Sequence, residues 1–176
     1  MADARTANAI GIVPAPANGE LHLLAGQLHV GSGRVRVRTL LGSCVAVTLW
    51  APAKRAGGMC HFLLPSRRHQ PGQPLDGRFG EEALHLMVEA LRQRGVKPAE
   101  CEAHLYGGAD TMPDKTGIKF NVGERNIEHG WALIEHHGFQ LANVDVGDNV
   151  PRSVTMDLGT GEVLVRRGAP AGKLAA

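Results

Sequence analysis

The segment at residues 80–94, GEEALHLMVEALRQR, is the feature that most constrains the fold, because its pattern suits an amphipathic helix. Acids stand in its first turn, arginines in its last, and Gly95 lies where a helix-terminating glycine belongs. Its apolar positions share one stripe: Ala83, Leu84, Met87, Val88 and Leu91. The pattern of residues 123–137, GERNIEHGWALIEHH, predicts a second helix that places Ile127, Trp131 and Ile134 on one stripe.

Segments with strand character surround these helices. RVRVRTLL at 34–41 alternates polar and apolar residues, and Val45, Val47 and Leu49 alternate in the same way. GMCHFLLP, CEAHLYGGA, FQLANVDV, RSVTMDL and EVLVRR complete the set, and GTG joins the last two as a hairpin. Two helices with six or more strands, many in hairpins, predict an α+β layered domain.

The 176 residues suit one domain, which we place at residues 19–167. Residues 1–18 and 168–176 lack periodicity and are expected to be flexible tails. No stretch approaches the roughly 18 to 20 unbroken apolar residues of a membrane helix, and the start lacks a secretory signal. These features predict a cytoplasmic protein that does not insert into a membrane. Three cysteines fit reduced thiols, and a net charge of +2 without a nucleic-acid motif argues against a nucleic-acid partner.

Chemistry is expected around Cys44. Along RVRVRTLL the arginines take one face, so Thr39 lies on the opposite, inward face, five residues before the cysteine. Gly42 and Ser43 break the strand just ahead of Cys44. A bend of this kind can leave backbone N–H groups free and place a nucleophile beside an oxyanion hole.

The pair Cys60 and His61 belongs to the next strand, where the two side chains point to opposite faces. They therefore cannot both ligate one metal, and no zinc-type spacing is present, so we predict no metal site. If this strand pairs with the preceding one, His61 falls opposite positions 45 to 47. One register brings the imidazole within about one residue of Cys44, and the other leaves it near 10 Å away.

Two interpretations of these residues stay open on chemistry alone. A lone cysteine is most often a small buried hydrophobe, and a histidine on an apolar strand is usually a core residue. A catalytic Cys44 needs His61 close enough to stabilise its thiolate.

Six motifs follow one another along the chain: TLLGSCVAVTLW, GGMCHFLLP, YGGA, NVGERN, DVGDNVPRSV and TGEV. Taken together they resemble the CheD family, the chemoreceptor glutamine deamidases of bacterial and archaeal chemotaxis, and the likeness runs from about residue 20 to residue 167. The resemblance implies a layered α/β/β sandwich similar to the deamidase domain of the cytotoxic necrotizing factor toxins. It also implies a catalytic Cys44 and His61 with Thr39 as their support.

The implied activity is conversion of receptor glutamine to glutamate with release of ammonia, in chemotaxis adaptation. The Cys44 thiolate would form a thioester, His61 would carry the proton, and N–H groups near Gly42 and Ser43 would stabilise the oxyanion. No metal or organic cofactor is implied. The implied partners are the cytoplasmic helices of methyl-accepting chemoreceptors and a CheC-type phosphatase.

Other functions remain possible on the same fold. An adaptor could bind chemoreceptors or a CheC-like phosphatase with little or no turnover, although retention of Cys44 and His61 argues for activity. A cysteine amidohydrolase acting on a small molecule would need a deeper pocket than the short loops suggest. Asn126 either caps a turn or lines the site, and the loop at 65–78 either recruits acidic helices or is a solvated connector.

Overall fold

A computed structural model describes residues 4–111 and 121–169 of the chain. The α-helices are α1 (Ala4–Ala7), α2 (Gly80–Gln93) and α3 (Val122–His137), and a 3₁₀ turn spans Pro98–Glu100. The first five strands are β1 (Glu20–Leu23), β2 (Leu28–Ser32), β3 (Arg36–Leu41), β4 (Val45–Ala51) and β5 (Ala56–Phe62). The others are β6 (Glu102–Gly107), β7 (Gln140–Val146), β8 (Arg152–Asp157) and β9 (Val163–Arg167).

The strands form two sheets, which confirms the predicted α+β layered class. One sheet has five strands in the order β2-β5-β4-β6-β7, and the other has four in the order β1-β3-β8-β9. The pairs β1/β3 and β6/β7 are parallel, and the remaining pairs are antiparallel. The predicted hairpins β4/β5 and β8/β9 are both present.

The five-stranded sheet is the middle layer of an α/β/β sandwich. Val47 and Cys60, a register pair on β4 and β5, lie in the core shared with α2 and α3. Ala46 and Met59 face the other way and pack against Val37 of the four-stranded sheet. Because β4 and β5 have a layer on each side, nearly all of their residues are buried on both faces, unlike the alternating β3.

The predicted stripe of α2 is confirmed, since all five of its apolar residues are buried. The stripe predicted for α3 is wrong at Trp131, which is 40% exposed. The buried face of α3 instead runs through Gly123, Asn126 and Gly130. A Cβ at Gly130 would meet Leu105 Cδ1 at 2.8 Å, so the helix approaches the sheet closely on its glycine side and turns the indole outward.

Part of the segment expected to be a flexible N-terminal tail is held against the domain. Ile10 donates its N–H to the Leu75 carbonyl at 2.8 Å, and Val13 donates to Leu28 at 2.9 Å. Backbone bridges of this kind need no side-chain periodicity, so no pattern in the sequence predicts them. In the C-terminal segment, Gly168 donates to the Pro151 carbonyl at 2.8 Å, and residues 170–176 lie outside the described residues.

None of the helices in the described ranges is long and apolar enough to cross a membrane.

Candidate active site

Residues 42–44 form the turn at which the chain leaves the four-stranded sheet and enters the five-stranded one, between β3 and β4. The turn is therefore at one end of the space between the sheets, and Cys44 packs partly buried against the inter-sheet core. The end of β6 holds this turn through two hydrogen bonds. Ala109 donates its N–H to the Gly42 carbonyl at 3.0 Å, and Gly108 donates to the Cys44 carbonyl at 2.9 Å.

The support from β6 depends on the paired glycines of the YGGA motif. Gly107 has φ +102°, and a Cβ there would overlap the carbonyl oxygen of Cys44. Gly108 has φ +68° and lies against Gly123 of α3. The motif therefore fixes the backbone position of Cys44, a role that was not predicted from the sequence. Two consecutive glycines directly after a strand are the signal that could have indicated it.

His61 lies on β5 with Ala46 as its register partner, while Val45 pairs with Phe62. Cys44 and His61 are thus diagonal neighbours on adjacent strands, a relation in which long side chains can meet. This register falls between the two alternatives considered from the sequence. It also keeps Cys60 on the helix-facing side, where burial raises the pKa of its thiol to about 12.

The backbone of His61 is fixed by the turn between β1 and β2. Gly26 donates its N–H to the His61 carbonyl at 2.7 Å, and the His61 N–H donates to the Gln27 carbonyl at 3.1 Å. Both backbone polar groups of His61 are therefore satisfied, and the ring projects into the inter-sheet space from a constrained position.

Thr39 and His61 meet across the two sheets. The Thr39 hydroxyl is fully buried, donates to the Leu23 carbonyl at 2.8 Å and lies 2.6 Å from His61 Nδ1. A hydroxyl has one proton, and the carbonyl can only accept, so the Thr39 oxygen must accept a hydrogen bond from Nδ1–H. Nε2 of the imidazole therefore carries a lone pair and no proton. This atom is buried and has no hydrogen-bond partner among the described residues.

The resting thiol and imidazole are both neutral. Burial, followed by the nearby His22, lowers the pKa of His61 to about 4. Burial also raises the pKa of the Cys44 thiol. Because Nε2 has no described partner, no hydrogen bond joins it to Cys44 Sγ in this state. A thiolate–imidazolium ion pair is absent here, and the arrangement suits proton transfer at the moment of attack.

The N–H groups of the turn suit an oxyanion. Ser43 and Cys44 donate their backbone N–H to none of the described residues. Gly42 does not adopt a left-handed φ, and a Cβ there would make only an ordinary contact with Thr111 at 3.5 Å. The turn can therefore bind a ligand through the free N–H groups of Ser43 and Cys44, and this does not depend on a left-handed backbone at Gly42.

Asn126 of α3, expected either to cap a turn or to line the site, contacts the backbone on both sides of the reacting residues from the helical layer. It is completely buried, and its Nδ2 donates to the carbonyls of Leu63 at 2.8 Å and Ser43 at 3.2 Å. The signal that could have indicated this contact is a polar residue on the buried stripe of an amphipathic helix.

The loop at 65–78 is anchored to the helical layer. Arg67 makes two hydrogen bonds to the Glu82 carboxylate, at 2.9 and 2.7 Å, and its guanidinium lies 4.7 Å above the Phe79 ring. Arg67 is therefore already paired, which favours a connector for this part of the loop. Across the described ranges, no three side chains among His, Cys, Asp and Glu come together as metal ligands.

The chain is similar to known proteins over most of its length. A family model described as CheD chemotactic sensory transduction matches residues 63–167. A probable chemoreceptor glutamine deamidase CheD 3 of Dechloromonas aromatica is 41% identical over 82% of this chain and 85% of that protein. A probable chemoreceptor glutamine deamidase CheD 1 of Chromobacterium violaceum is 37% identical over 86% of this chain and 79% of that protein.

A more remote likeness exists among solved structures. The Bacillus licheniformis hypothetical protein YfiH superposes with a TM-score of 0.40 at 14% identity, over 70% of this chain and 50% of that one.

Proposed function

The chain belongs to the CheD family, and from this premise we propose that it is a chemoreceptor glutamine deamidase, an amidohydrolase acting on protein glutamine side chains. The observation that carries the proposal is the bond from His61 Nδ1–H to Thr39, which leaves Nε2 as a proton acceptor on the strand beside Cys44. A nucleophilic thiol, a base and a group that orients the base are what such an acyl transfer requires.

The reaction begins with attack of Cys44 Sγ on the carboxamide carbon of a receptor glutamine. As the S–C bond forms, the thiol proton passes to His61 Nε2, because the resting thiol is not ionised. The negative charge that develops on the carboxamide oxygen is stabilised by the free N–H groups of Ser43 and Cys44. The imidazolium keeps its Nδ1–H bonded to Thr39 throughout.

Collapse of the tetrahedral intermediate breaks the C–N bond. His61 gives its Nε2 proton to the departing ammonia, and Cys44 is left as a thioester. Water then attacks the thioester with the neutral imidazole as base, which releases glutamate and restores the thiol. The chemistry uses only protein groups and water.

The substrate is a macromolecule, since the proposed target is a glutamine of the cytoplasmic helices of a chemoreceptor. An open groove of about 480 Å³ beside the turn supports this assignment; it is lined in part by Leu40, Leu41 and Gly42. The proposal also places the protein in the cytoplasm and leaves a CheC-type phosphatase as a candidate partner.

The test incubates the full chain with a purified chemoreceptor cytoplasmic fragment and follows glutamine-to-glutamate conversion by peptide mass spectrometry. Wild type and Cys60→Ala should convert the same glutamines, while Cys44→Ala should convert none. Cys60 is the matched control because it is a thiol on the same strand as His61 that faces the helices.

One observation favours a second function, an adaptor that binds receptors without turnover, because Cys44 and His61 are not hydrogen-bonded in the resting state. Receptor binding by wild type without any mass change would establish the adaptor. Equal conversion by wild type and Cys44→Ala would remove the proposed mechanism.

A further inference from the structure

Asn126 is a buried polar side chain in a position where the helix otherwise presents small and apolar residues to the sheet. Its Oδ1 has no partner among the described residues, so the buried amide carries a desolvation cost. Its Nδ2 makes two hydrogen bonds, both to backbone carbonyls that flank the reacting groups. Ser43 directly precedes Cys44, and Leu63 comes two residues after His61.

The two carbonyls lie where the β4/β5 ladder ends. The last register pair is Val45 with Phe62, and continuing the register would bring Cys44 opposite Leu63. No rung forms there. Instead, the Asn126 amide group bridges the two strands from the helical layer, bonding Leu63 on one side and Ser43 on the other.

The bond to the Ser43 carbonyl also fixes the direction of a neighbouring donor. A trans peptide is planar, and its C=O and N–H point to opposite sides. The Ser43 carbonyl and the Cys44 N–H belong to one peptide plane, so holding the carbonyl toward α3 turns the Cys44 N–H away from the helix. The Ala109 bond to the Gly42 carbonyl fixes the Ser43 N–H in the same way.

We propose that Asn126 is a positioning residue for the oxyanion site: by holding the Ser43 carbonyl, it keeps the Cys44 N–H directed at the oxygen of the bound carboxamide. This inference rests on the proposed acyl-transfer function. All three carbonyls of the turn are held by the scaffold, those of Gly42, Ser43 and Cys44, while the N–H groups of Ser43 and Cys44 stay unpaired among described residues.

The test compares two reactions of the Cys44 thiol that differ in their need for an oxyanion site. Acylation by p-nitrophenyl acetate passes through a tetrahedral oxyanion: the S–C bond forms, the thiol proton passes to His61, and p-nitrophenolate leaves. Alkylation by iodoacetamide displaces iodide at a saturated carbon and forms no oxyanion. Mass spectrometry of the Cys44 peptide gives both rates without a receptor.

Asn126→Leu keeps a branched side chain but removes both donors. We expect acylation of Cys44 to slow by about 10- to 100-fold, since loss of an oxyanion donor outright costs more in other enzymes. Alkylation should change by less than about threefold, because it depends on the thiol and its base. If the leucine variant fails to fold, Asn126→Ser replaces it in the test. Serine is too short to bridge both carbonyls and should give the same selective loss of acylation.

Asn121→Ala is the matched control. Asn121 caps the same helix by accepting the Glu124 N–H at 3.0 Å, so its loss weakens α3 without touching the turn. It should lower the melting temperature and leave the ratio of acylation to alkylation unchanged.

Several outcomes would overturn the inference. Equal slowing of both reactions in the Asn126 variants would mean a general structural role, and unchanged acylation would mean no role. A wild-type Cys44 that is alkylated but not acylated would mean that the oxyanion site does not exist. Failure of the receptor assay alone, with selective loss of acylation intact, would instead count against the proposed substrate.

Discussion

Replacing Thr39 with valine tests how the site orients its base. Valine keeps the shape of threonine but has no hydroxyl, so His61 Nδ1 loses its acceptor and the Leu23 carbonyl loses its donor. Both groups would stay in a site where Thr39 is completely buried, and water could not replace the lost partner without a rearrangement.

The magnitude follows from these two orphaned groups. Leaving a buried donor or acceptor without a partner costs about 1 to 3 kcal/mol, so two of them should lower the free energy of unfolding by about 2 to 6 kcal/mol. The same loss removes the preference for the tautomer with the proton on Nδ1. At about 1.4 kcal/mol per factor of ten, 1 to 3 kcal/mol of lost preference corresponds to a deamidation rate about 5- to 140-fold lower.

Thr39→Ser is the matched control, because it keeps the hydroxyl and removes only a methyl group, worth about 1 kcal/mol of stability. The measurements are kcat for receptor deamidation, urea denaturation, and nitrogen NMR shifts that report which ring nitrogen of His61 is protonated. Serine should keep most of the rate and the Nδ1–H tautomer, while valine should lose both. A valine variant with the rate of wild type, or a serine variant as slow as valine, would refute the tautomer argument.

Four further results are expected. Since burial and His22 lower the pKa of His61 to about 4, kcat/KM should not fall between pH 7 and pH 5, and a decline centred near pH 6.5 would contradict this. The pKa of His61 is about 4 in the folded protein and 6.5 in the unfolded chain, so the unfolded chain takes up this proton first as the pH falls. The free energy of unfolding should therefore decrease by about 3 kcal/mol as the pH falls from 6.5 through 4, at about 1.4 kcal/mol per pKa unit. Denaturation curves measure this decrease. Gly107→Ala should abolish deamidation by displacing Cys44, whereas Gly138→Ala, at φ +78° with open space around it, should cost only stability, by about 1 kcal/mol. Iodoacetamide should label Cys44 in the folded protein and reach Cys60 only on unfolding, because that thiol is fully buried with a pKa of about 12; peptide mapping decides.

Strand parity in the sequence was sufficient to predict the inward face of Thr39 and the separation of Cys60 from His61, because side-chain alternation is a local property of a strand. The register of β4 and β5 could not be predicted. It depends on where the four-residue turn after Ala51 closes, with Arg55 at φ +48°, and it decides that His61 faces Ala46.

The hydrogen bonds of Asn126 could not be predicted from local sequence patterns, because they join distant parts of the chain. Asn126 is more than 60 residues from both carbonyls that it contacts, so only the packing of α3 on the sheet brings them together. On the same helix, a large apolar residue such as Trp131 is predicted to face the core. The close approach at Gly130 rotates that face outward.

The hydrogen bond between Thr39 and His61 joins two sheets, and this has a consequence for when the protein can act. The base belongs to one sheet, the group that sets its tautomer to the other, and the nucleophile to the turn between them. An intermediate with a formed but undocked four-stranded sheet would therefore have a thiol without an oriented base. Turnover thus reports on the docking of the two sheets. A newly made or partly unfolded chain would not deamidate the glutamines of other proteins until its two sheets have docked.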